Sequence, residues 1–486
     1  MILVDYLEQN AQRYPEKPAV VCGGQTCTYA QLWHQVQHRA SELSSLHLTP
    51  STFRSALPLG SAKNLPHSTF HIPHCFRSTQ DLDFLVTYLA THLAGGVATP
   101  LEHGMPEPLF QEVKARLQSA EIPEGIADIL YTTGTTGQSK GVMISHRAMM
   151  ADAENLIAGQ GFSHDLVFVI NGPLNHIGSL SKLWPCIMLG ATILIIDGMK
   201  DLNAFFRALD YPATKMATFF VPATIRMILQ FAPDKLASYA HKLDFIESGA
   251  APLPQADMQR LCELLPTTRL YNTYASTETG IIATYNYNLN TEFPTPSRGG
   301  TPSTEFPTPS RGGARGGVCG LPGCLGRPMP HSRLLITPEG LIACQGDTLM
   351  SGYAGDPELT ATVLRDNTIF TSDVGTIDSE GMLHLSGRAS DVINVGGFKV
   401  SPIEVESVAM SNSLVSDCIC ISADHPVTGR ALKLLVVTPS NQPLDKRSLA
   451  RYLADRLEPY KVPMLYEQVD TIARTYNGKL DRKHYQ

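Results

Sequence analysis

Apolar and polar positions along this chain follow two periods, which together predict alternating helices and strands. Residues 3–13 place apolar side chains at helical spacing, and residues 19–22 form a short apolar run that stops at Gly23-Gly24. The stretch 28–31, Thr-Tyr-Ala-Gln, is typical of a capping box and predicts a helix that runs to about residue 43.

The same alternation continues further along the chain. Residues 97–101 form a predicted strand, which follows a helix that stops at Gly95-Gly96. One face of that helix carries Phe84, Leu85, Tyr88, Leu89 and Leu93. Regular alternation of helices with apolar strands predicts an α/β fold built mostly of parallel layers.

Two segments interrupt this pattern. Residues 47–69 are rich in Ser, Pro and His, so that only residues 70–76 remain as a strand before the next helix, and Pro73 weakens that assignment. Residues 291–300 recur as a direct repeat at 304–313. The Pro/Gly-rich composition of 291–317 predicts a surface-loop insertion, with a proline-rich docking site as the alternative.

After the insertion the pattern changes to short strands and turns, which predicts a β-rich subdomain up to residue 383. From residue 388 onward the chain predicts a small α+β unit with its own core. Its predicted elements are a β-turn-β start, a helix at 402–410, strands at 418–422 and 432–437, and a helix at 446–457.

Size and composition narrow the class of protein. A length of 486 residues predicts two or three packed units, and a net charge of −7 gives no electrostatic reason to expect nucleic acid as a partner. The ten cysteines are scattered, which predicts reduced thiols. The start of the chain has no secretory pattern, and the most apolar stretch, 183–196, is too short to cross a bilayer. We therefore expect a soluble cytoplasmic protein without a membrane span.

The strongest chemical signal lies in residues 131–141, Tyr-Thr-Thr-Gly-Thr-Thr-Gly-Gln-Ser-Lys-Gly. Glycines let backbone N–H groups turn toward one point, threonines add hydroxyl donors, and the lysine adds a mobile positive charge. The spacing does not fit a Walker loop. The stretch predicts a phosphate cradle formed by Thr132, Thr133, Gly134, Thr135, Thr136, Gly137 and Lys140.

This loop resembles the phosphate-binding signature of the adenylate-forming superfamily, which includes acyl-CoA synthetases, adenylation domains of peptide synthetases and luciferases. Further matches to that family follow in the expected order over most of the chain. The resemblance implies a large AMP-binding domain at residues 1–387 and a small, mobile C-terminal domain at 388–486.

The stretch 272–280 is similar to the second signature of the family. The resemblance implies that Asn272 and Tyr274 contribute to the nucleotide site, with the tyrosine near adenine. It also implies that Thr277 hydrogen-bonds the α-phosphate and that Glu278 holds Mg²⁺. A hard cation does require carboxylate and phosphate oxygens.

Nucleoside contacts are implied at two further places. Ser248, Gly249 and Ala250 lie in a turn that resembles the family's adenine-facing turn. Asp373 matches the residue that binds both ribose hydroxyls, and Arg388 matches a ribose-contacting arginine. The family's hinge residue follows that arginine by two positions and is usually Asp or Lys. This chain has Ser390 there, so Ser390 and Asp391 both remain candidates for the hinge.

The C-terminal region carries the remaining matches. Gly396, Gly397 and Lys399 lie in a loop that, in acyl-CoA synthetases, faces the channel for the pantetheine arm of coenzyme A; locally, a simple β-hairpin turn fits equally well. Lys479 matches the family's invariant catalytic lysine.

One segment discriminates between substrate classes. His176 occupies the family's position for an aromatic or histidine residue at the acyl pocket. Amino-acid-activating domains tend to carry Phe-Asp here, whereas this chain has Asn175-His176. The resemblance therefore favours a plain carboxylic acid over an α-amino acid.

These matches imply an ATP- and Mg²⁺-dependent carboxylic acid–CoA ligase, closest to bacterial acyl-CoA synthetases that act on fatty or aryl acids. Such an enzyme forms an acyl adenylate, releases pyrophosphate, and transfers the acyl group to CoA. One alternative is an enzyme that loads the phosphopantetheine of an acyl carrier protein. Two others are a degraded, non-catalytic paralogue, motivated by the two unusual segments, and a nucleotide sensor, which would not need Lys479.

Overall fold

The structure is a computed structural model, and it describes residues 1–47, 73–133, 139–288, 323–395, 398–425, 429–439, 442–474 and 480–485. Several predicted features lie outside these ranges. They are most of the segment 47–69, the insertion 291–317, the loop residues Gly134, Thr135, Thr136 and Gly137, the pair Gly396-Gly397, and Lys479.

The described helices are α1 Leu3–Arg13, α2 Tyr29–His47, α3 Leu82–Leu93, α4 Glu107–Gln118, α5 His146–Gln160, α6 Ile177–Leu180, α7 Leu183–Leu189, α8 Leu202–Leu209, α9 Pro222–Phe231, α10 Pro233–Ser238, α11 Gln255–Leu264, α12 Pro357–Val363, α13 Pro402–Met410 and α14 Lys446–Ala454.

The described strands are β1 Pro18–Cys22, β2 Gln25–Thr28, β3 Pro73–Ser78, β4 Val97–Glu102, β5 Ile126–Thr133, β6 Ser139–Ser145, β7 Val167–Ile170, β8 Thr192–Ile195, β9 Met216–Phe220, β10 Leu243–Ser248, β11 Arg269–Ser276, β12 Gly280–Asn286, β13 Cys324–Pro328, β14 Ser332–Ile336, β15 Leu341–Gly346, β16 Gly352–Tyr353, β17 Leu364–Arg365, β18 Thr368–Ile377, β19 Leu383–Arg388, β20 Ile393–Val395, β21 Phe398–Val400, β22 Asp417–His425, β23 Gly429–Val437 and β24 Leu465–Gln468.

A large mixed sheet forms the centre of the fold, with the strand order β14-β15-β18-β19-β13-β12-β11-β10-β9-β7-β8-β1-β2. Neighbouring strands from β1 through β8, β7, β9 and β10 to β11 are parallel, whereas β11 to β12, β12 to β13 and β13 to β19 are antiparallel. Ligands of parallel sheets bind at the carboxyl ends of the strands. We therefore expect a ligand site at the carboxyl ends of β9, β10 and β11.

A second sheet, in the order β16-β6-β5-β4-β3, presents the predicted phosphate cradle. Strands β5 and β6 are antiparallel, and they pair Thr132 with Lys140 and Thr133 with Ser139. The two ends of the threonine- and glycine-rich loop thus lie side by side in a hairpin.

Most elements predicted in the first hundred residues are present in the structure. The capping box is formed, because the backbone N–H of Thr28 donates to Gln31 Oε1 over 2.9 Å and the N–H of Gln31 donates to Thr28 Oγ1 over 3.3 Å. The strand expected at 70–76 is described from Pro73 to Ser78. Proline is tolerated there because β3 is an edge strand in the described sheet, so the missing N–H removes no hydrogen bond of a central strand.

The C-terminal elements were also predicted closely. Helix α13 matches the predicted bounds, and α14 ends three residues earlier than expected. Strands β22, β23 and β24 form one sheet, and their buried side chains pack with those of α13 and α14 in a separate hydrophobic core. The division at 387/388 stays a prediction.

Among the described residues, no helix is both long and apolar enough to cross a membrane. The apolar stretch 183–196 instead forms the short buried helix α7 and the strand β8.

Candidate active site

Three of the predicted nucleoside residues contact one another. The hydroxyl of Tyr274 donates to Asp373 Oδ2 over 2.8 Å, and Arg388 Nε donates to Asp373 Oδ1 over 3.2 Å. Asp373 and Arg388 are direct partners in the antiparallel pair β18–β19, while Tyr274 comes from β11. Residues far apart in sequence therefore converge on one carboxylate.

This carboxylate is suited to bind a diol. It accepts a hydrogen bond from the guanidinium of Arg388, and a carboxylate offers about four acceptor positions in all. Burial, together with the neighbouring Asp373, raises the pKa of Tyr274 well above its usual value, so the phenol remains a donor over the whole physiological range. The arrangement fits the predicted ribose contact, and the roles of Tyr274, Asp373 and Arg388 remain predictions.

The second predicted centre surrounds Glu278. Tyr353 donates its hydroxyl to Glu278 Oε1 over 3.1 Å, and Lys140 Nζ lies 5.2 Å from the centre of the Tyr353 ring. Burial, followed by the charge of Glu278, raises the pKa of Tyr353, which keeps this donor protonated. One tyrosine thus links the end of the phosphate hairpin to the proposed Mg²⁺ ligand, and the sequence alone did not indicate its role.

Glu278 is a single carboxylate, and one carboxylate does not fill the coordination shell of a metal ion. No group of three or more His, Cys, Asp or Glu side chains that could hold a metal occurs in the described part of the chain. Glu278 therefore fits Mg²⁺ only as one ligand that complements phosphate oxygens and water, which is the usual arrangement for this ion.

Hydrogen bonds with helix α5 and within the turn itself stabilise the turn that carries Thr277 and Glu278. The N–H of Ile281, just after the turn, donates to Asp152 Oδ1 of α5 over 2.7 Å. At the start of the turn, Ser276 and Thr279 exchange hydrogen bonds between backbone N–H and side-chain hydroxyl, each 3.1 Å long. Burial raises the pKa of Asp152 to about 8, so this acid is protonated at neutral pH.

The predicted adenine-facing turn follows β10 directly. Ala250 has φ of +69°, an uncommon backbone conformation for a residue other than glycine. A Cβ atom at Gly249 would meet the Phe219 ring and the carbonyl oxygen of Thr273, each at 3.3 Å. Asn272 is buried and donates to the carbonyl of Cys324 over 3.2 Å. The backbone of this turn therefore lies close to the backbone of β11, with little room for a side chain at position 249.

His176 precedes helix α6, and Asn175 beside it is buried. A buried ion pair lies on the same side of the sheet. Lys182 Nζ is 2.8 Å from both carboxylate oxygens of Glu247, and neither side chain is more than 1% exposed. No motif in the sequence predicts this pair. The one available signal was a lysine directly before an apolar run.

Two arginines attach the ends of the segment that contains Lys479. Arg474 donates to Asp417 Oδ2 over 2.6 Å, and Arg482 donates to both oxygens of Glu406 over 2.7 and 2.8 Å. Arg482 Nε also donates to Asp391 Oδ2 over 3.3 Å. Of the two hinge candidates, Asp391 thus contacts the C-terminal segment, whereas Ser390 is exposed and bonds to Asp391.

Comparison with known proteins agrees with this geometry. The family model described as AMP-binding enzyme matches residues 107–353, and the model for the AMP-binding enzyme C-terminal domain matches 404–479. The chain belongs to the AMP-binding enzyme family. This membership confirms the resemblance inferred from the loop motifs.

Individual relatives align along nearly the whole chain. A 2-succinylbenzoate–CoA ligase of Staphylococcus epidermidis is 26% identical over 98% of this chain and 96% of its own length. A feruloyl-CoA synthase of an Amycolatopsis species is 26% identical over 97% of this chain and 96% of its own. The crystal structure of ATP-bound MatB from Rhodopseudomonas palustris superposes with a TM-score of 0.78 at 22% identity, covering 100% of this chain and 98% of the other. The last likeness confirms the fold.

Proposed function

We propose that this enzyme is an AMP-forming carboxylic acid–CoA ligase. The curated relatives named above are ligases that join an acid to CoA, and they align over nearly their whole lengths. The observation that supports the proposal most is that segment 272–280 contacts both predicted centres: Tyr274 bonds Asp373, and Glu278 bonds Tyr353 beside Lys140.

In the first half-reaction, the acid's carboxylate attacks the α-phosphorus of ATP and pyrophosphate leaves. Asp373 and Arg388 orient the ribose, and the β5–β6 hairpin with Lys140 binds the β- and γ-phosphates. Mg²⁺, when bound on Glu278, neutralises charge on the phosphates. Lys479 and Thr277 stabilise the negative charge that develops at the α-phosphate. Positioning and electrostatics account for most of such a rate enhancement.

In the second half-reaction, the CoA thiolate attacks the acyl adenylate and AMP leaves. We propose that the unit from residue 388 onward moves between the two steps, because Lys479 and the 396–399 loop serve different steps at one site. Lys399 lies in β21, the strand that begins directly after Gly396-Gly397 in sequence.

The test is acid-dependent exchange of pyrophosphate into ATP, over a panel of aliphatic and aromatic acids. We expect exchange with some acids, and a loss of about 100-fold or more in Lys479→Ala, since one stabilising donor at such a transition state contributes that much. Lys446→Ala is the matched control, because Lys446 is an exposed lysine of the same C-terminal region, and it should keep full activity.

Silence across the panel from a cooperatively folded chain would instead favour the degraded paralogue. The carrier-protein alternative is less favoured, because the curated relatives use CoA. Acid-dependent consumption of free CoA separates the two acceptors.

A further inference from the structure

The buried pair Lys182–Glu247 has no part in the chemistry described so far, yet it lies close to the predicted acyl pocket. In the parallel register of β9 and β10, Glu247 is the direct partner of Phe219. Register partners in neighbouring strands project to the same face of the sheet. The carboxylate and the ring are therefore neighbours.

The Phe219 ring is wedged between two glycines. A Cβ atom at Gly178, in α6, would lie 3.2 Å from Phe219 Cε1, and one at Gly249 would lie 3.3 Å from Phe219 Cε2. Both distances are tighter than ordinary van der Waals contact. The two glycines thus leave room for this one ring, between the helix that follows His176 and the adenine-facing turn.

Lys182 contacts the Phe219 ring through its ammonium group. Its Nζ lies 5.4 Å from the centre of the Phe219 ring, within the range of a cation–π interaction. The ammonium is fully buried and ion-paired with Glu247. A buried ion pair has one rigid geometry, and removing a single partner leaves a costly unpaired charge. Phe219 is only half-buried, and it lies between Gly178, which closely follows His176 in sequence, and Gly249 of the adenine-facing turn.

We propose that Phe219, held in place by the Lys182–Glu247 pair, is the end wall of the acyl pocket and limits the substrate to short or compact acids. Phe219 is the specificity-determining residue, and Lys182 and Glu247 are positioning residues that act through it. The buried Lys182–Glu247 pair lies behind the ring. An extended alkyl chain cannot pass into this region, because it would have to displace the two paired charges. This inference rests on the proposed function.

The test measures binding without turnover. The probes are 5′-O-(N-acylsulfamoyl)adenosines, stable mimics of an acyl adenylate, in a series from acetyl to decanoyl with benzoyl added, and calorimetry gives each affinity. For the wild-type chain we expect binding of the short and benzoyl probes, and a fall of at least about tenfold for the long chains. In Phe219→Ala the length limit should move outward, with roughly a fourfold gain for each methylene newly buried.

The positioning role requires a variant that keeps its fold. Lys182→Met alone would leave Glu247 buried and unpaired, so the main variant is Lys182→Met with Glu247→Leu, which replaces the pair by apolar groups of similar size. It should bind unacylated sulfamoyladenosine like wild type and discriminate less between short and long acyl groups. Lys461→Met, which removes a mostly buried lysine and its ion pairs with Glu404 and Glu458 in the C-terminal region, is the control and should keep the wild-type length limit.

Two outcomes overturn the inference. One is the same length dependence in wild type, Phe219→Ala and the double variant. The other is equal weakening of every probe, including the unacylated one, which would mark the pair as purely structural. Pyrophosphate exchange is measured separately, so a length limit without exchange would reject the proposed function alone, and exchange without a length limit would reject this inference alone.

Discussion

At the scale of single residues, the site is built from carboxylates held by neutral or cationic donors. Asp373 accepts from Tyr274 and Arg388, and Glu278 accepts from Tyr353. In both cases a tyrosine with a raised pKa provides a permanent hydroxyl donor. A carboxylate offers about four acceptor positions, and these hydrogen bonds from described residues use two on Asp373 and one on Glu278, so that positions remain for a ligand.

Asp373→Ala should weaken ATP binding and remove the preference for an intact ribose. A hydrogen bond to a charged group contributes about 1.5–3 kcal/mol, so KM for ATP should rise roughly 10- to 100-fold. The measurement compares ATP with 2′,3′-dideoxy-ATP in the exchange assay. Wild type should favour ATP strongly, and the variant should treat both nucleotides nearly alike. An unchanged preference would remove Asp373 from the ribose site.

Tyr353→Phe should raise the Mg²⁺ concentration that gives half-maximal exchange. The substitution keeps the ring beside Lys140 but removes the hydroxyl that orients Glu278, and loss of such an orienting partner typically weakens a metal site about tenfold or more. Tyr353→Leu also removes the ring and should in addition raise KM for ATP. If Mg²⁺ dependence is the same in wild type and Tyr353→Phe, Glu278 is not oriented by this hydrogen bond.

At the scale of elements, the decisive arrangement is the turn between β11 and β12, which α5 supports. Asp152 accepts the N–H of Ile281 and lies against Gly280, whose φ of +70° and close approach exclude a side chain. A Cβ there would come within 2.6 Å of Asp152 Oδ1. The helix therefore fixes the backbone that presents Thr277 and Glu278.

Asp152→Asn should stabilise the protein increasingly as pH rises. The pKa of Asp152 is about 8 in the folded chain, against an ordinary value of 3.8. Between these values the folded chain keeps a proton that the unfolded chain has lost, so wild-type stability falls as pH rises from about 4 to 8. Asparagine removes this dependence and still accepts from Ile281.

Melting temperatures from pH 5 to 9 provide the measurement. The gap between Asp152→Asn and wild type should widen up to about pH 8 and then stay level. Asp152→Ala, which loses the acceptor, should be less stable than Asp152→Asn at every pH. A gap that is constant with pH would show that Asp152 does not titrate as inferred.

At the scale of the whole molecule, one ion-pair chain joins the large sheet region to the C-terminal unit. Arg226 of α9 donates to Asp417 Oδ1 of β22 over 2.9 Å, and Arg474 donates to the other oxygen. Arg226 also lies 3.6 Å from Asp257, whose pKa is raised by burial. These ion pairs help to fix the position of the C-terminal unit relative to the large sheet region.

Arg226→Met should loosen the C-terminal unit without unfolding it, because Asp417 keeps Arg474 as a partner. We expect backbone hydrogen exchange at residues 388–392 to become roughly three- to tenfold faster, since the lost contact is partly buried and charged. Arg260→Met is the matched control, because its ion pair with Glu263 is exposed and lies within one helix. Equal exchange in both variants would contradict a role for Arg226 in holding the unit.

The local elements were largely determined by the sequence itself. Period and capping predicted α1, the capping box at Thr28 and the bounds of α13, because these depend on contacts between residues a few positions apart. The loop motifs likewise identified the family, because a phosphate cradle is formed by a continuous stretch of backbone. Lys479 and the loop tip lie outside the described residues, so their roles stay predictions.

Only the tertiary structure decided which distant residues meet. Tyr353 at Glu278, Asp152 beneath the turn, and the Lys182–Glu247 pair behind Phe219 join segments separated by 65 or more residues in sequence. No local pattern encodes such pairs, since strand order and register bring them together. Lys182 can be recognised as part of an ion pair only once the fold places Glu247 next to it and buries both side chains.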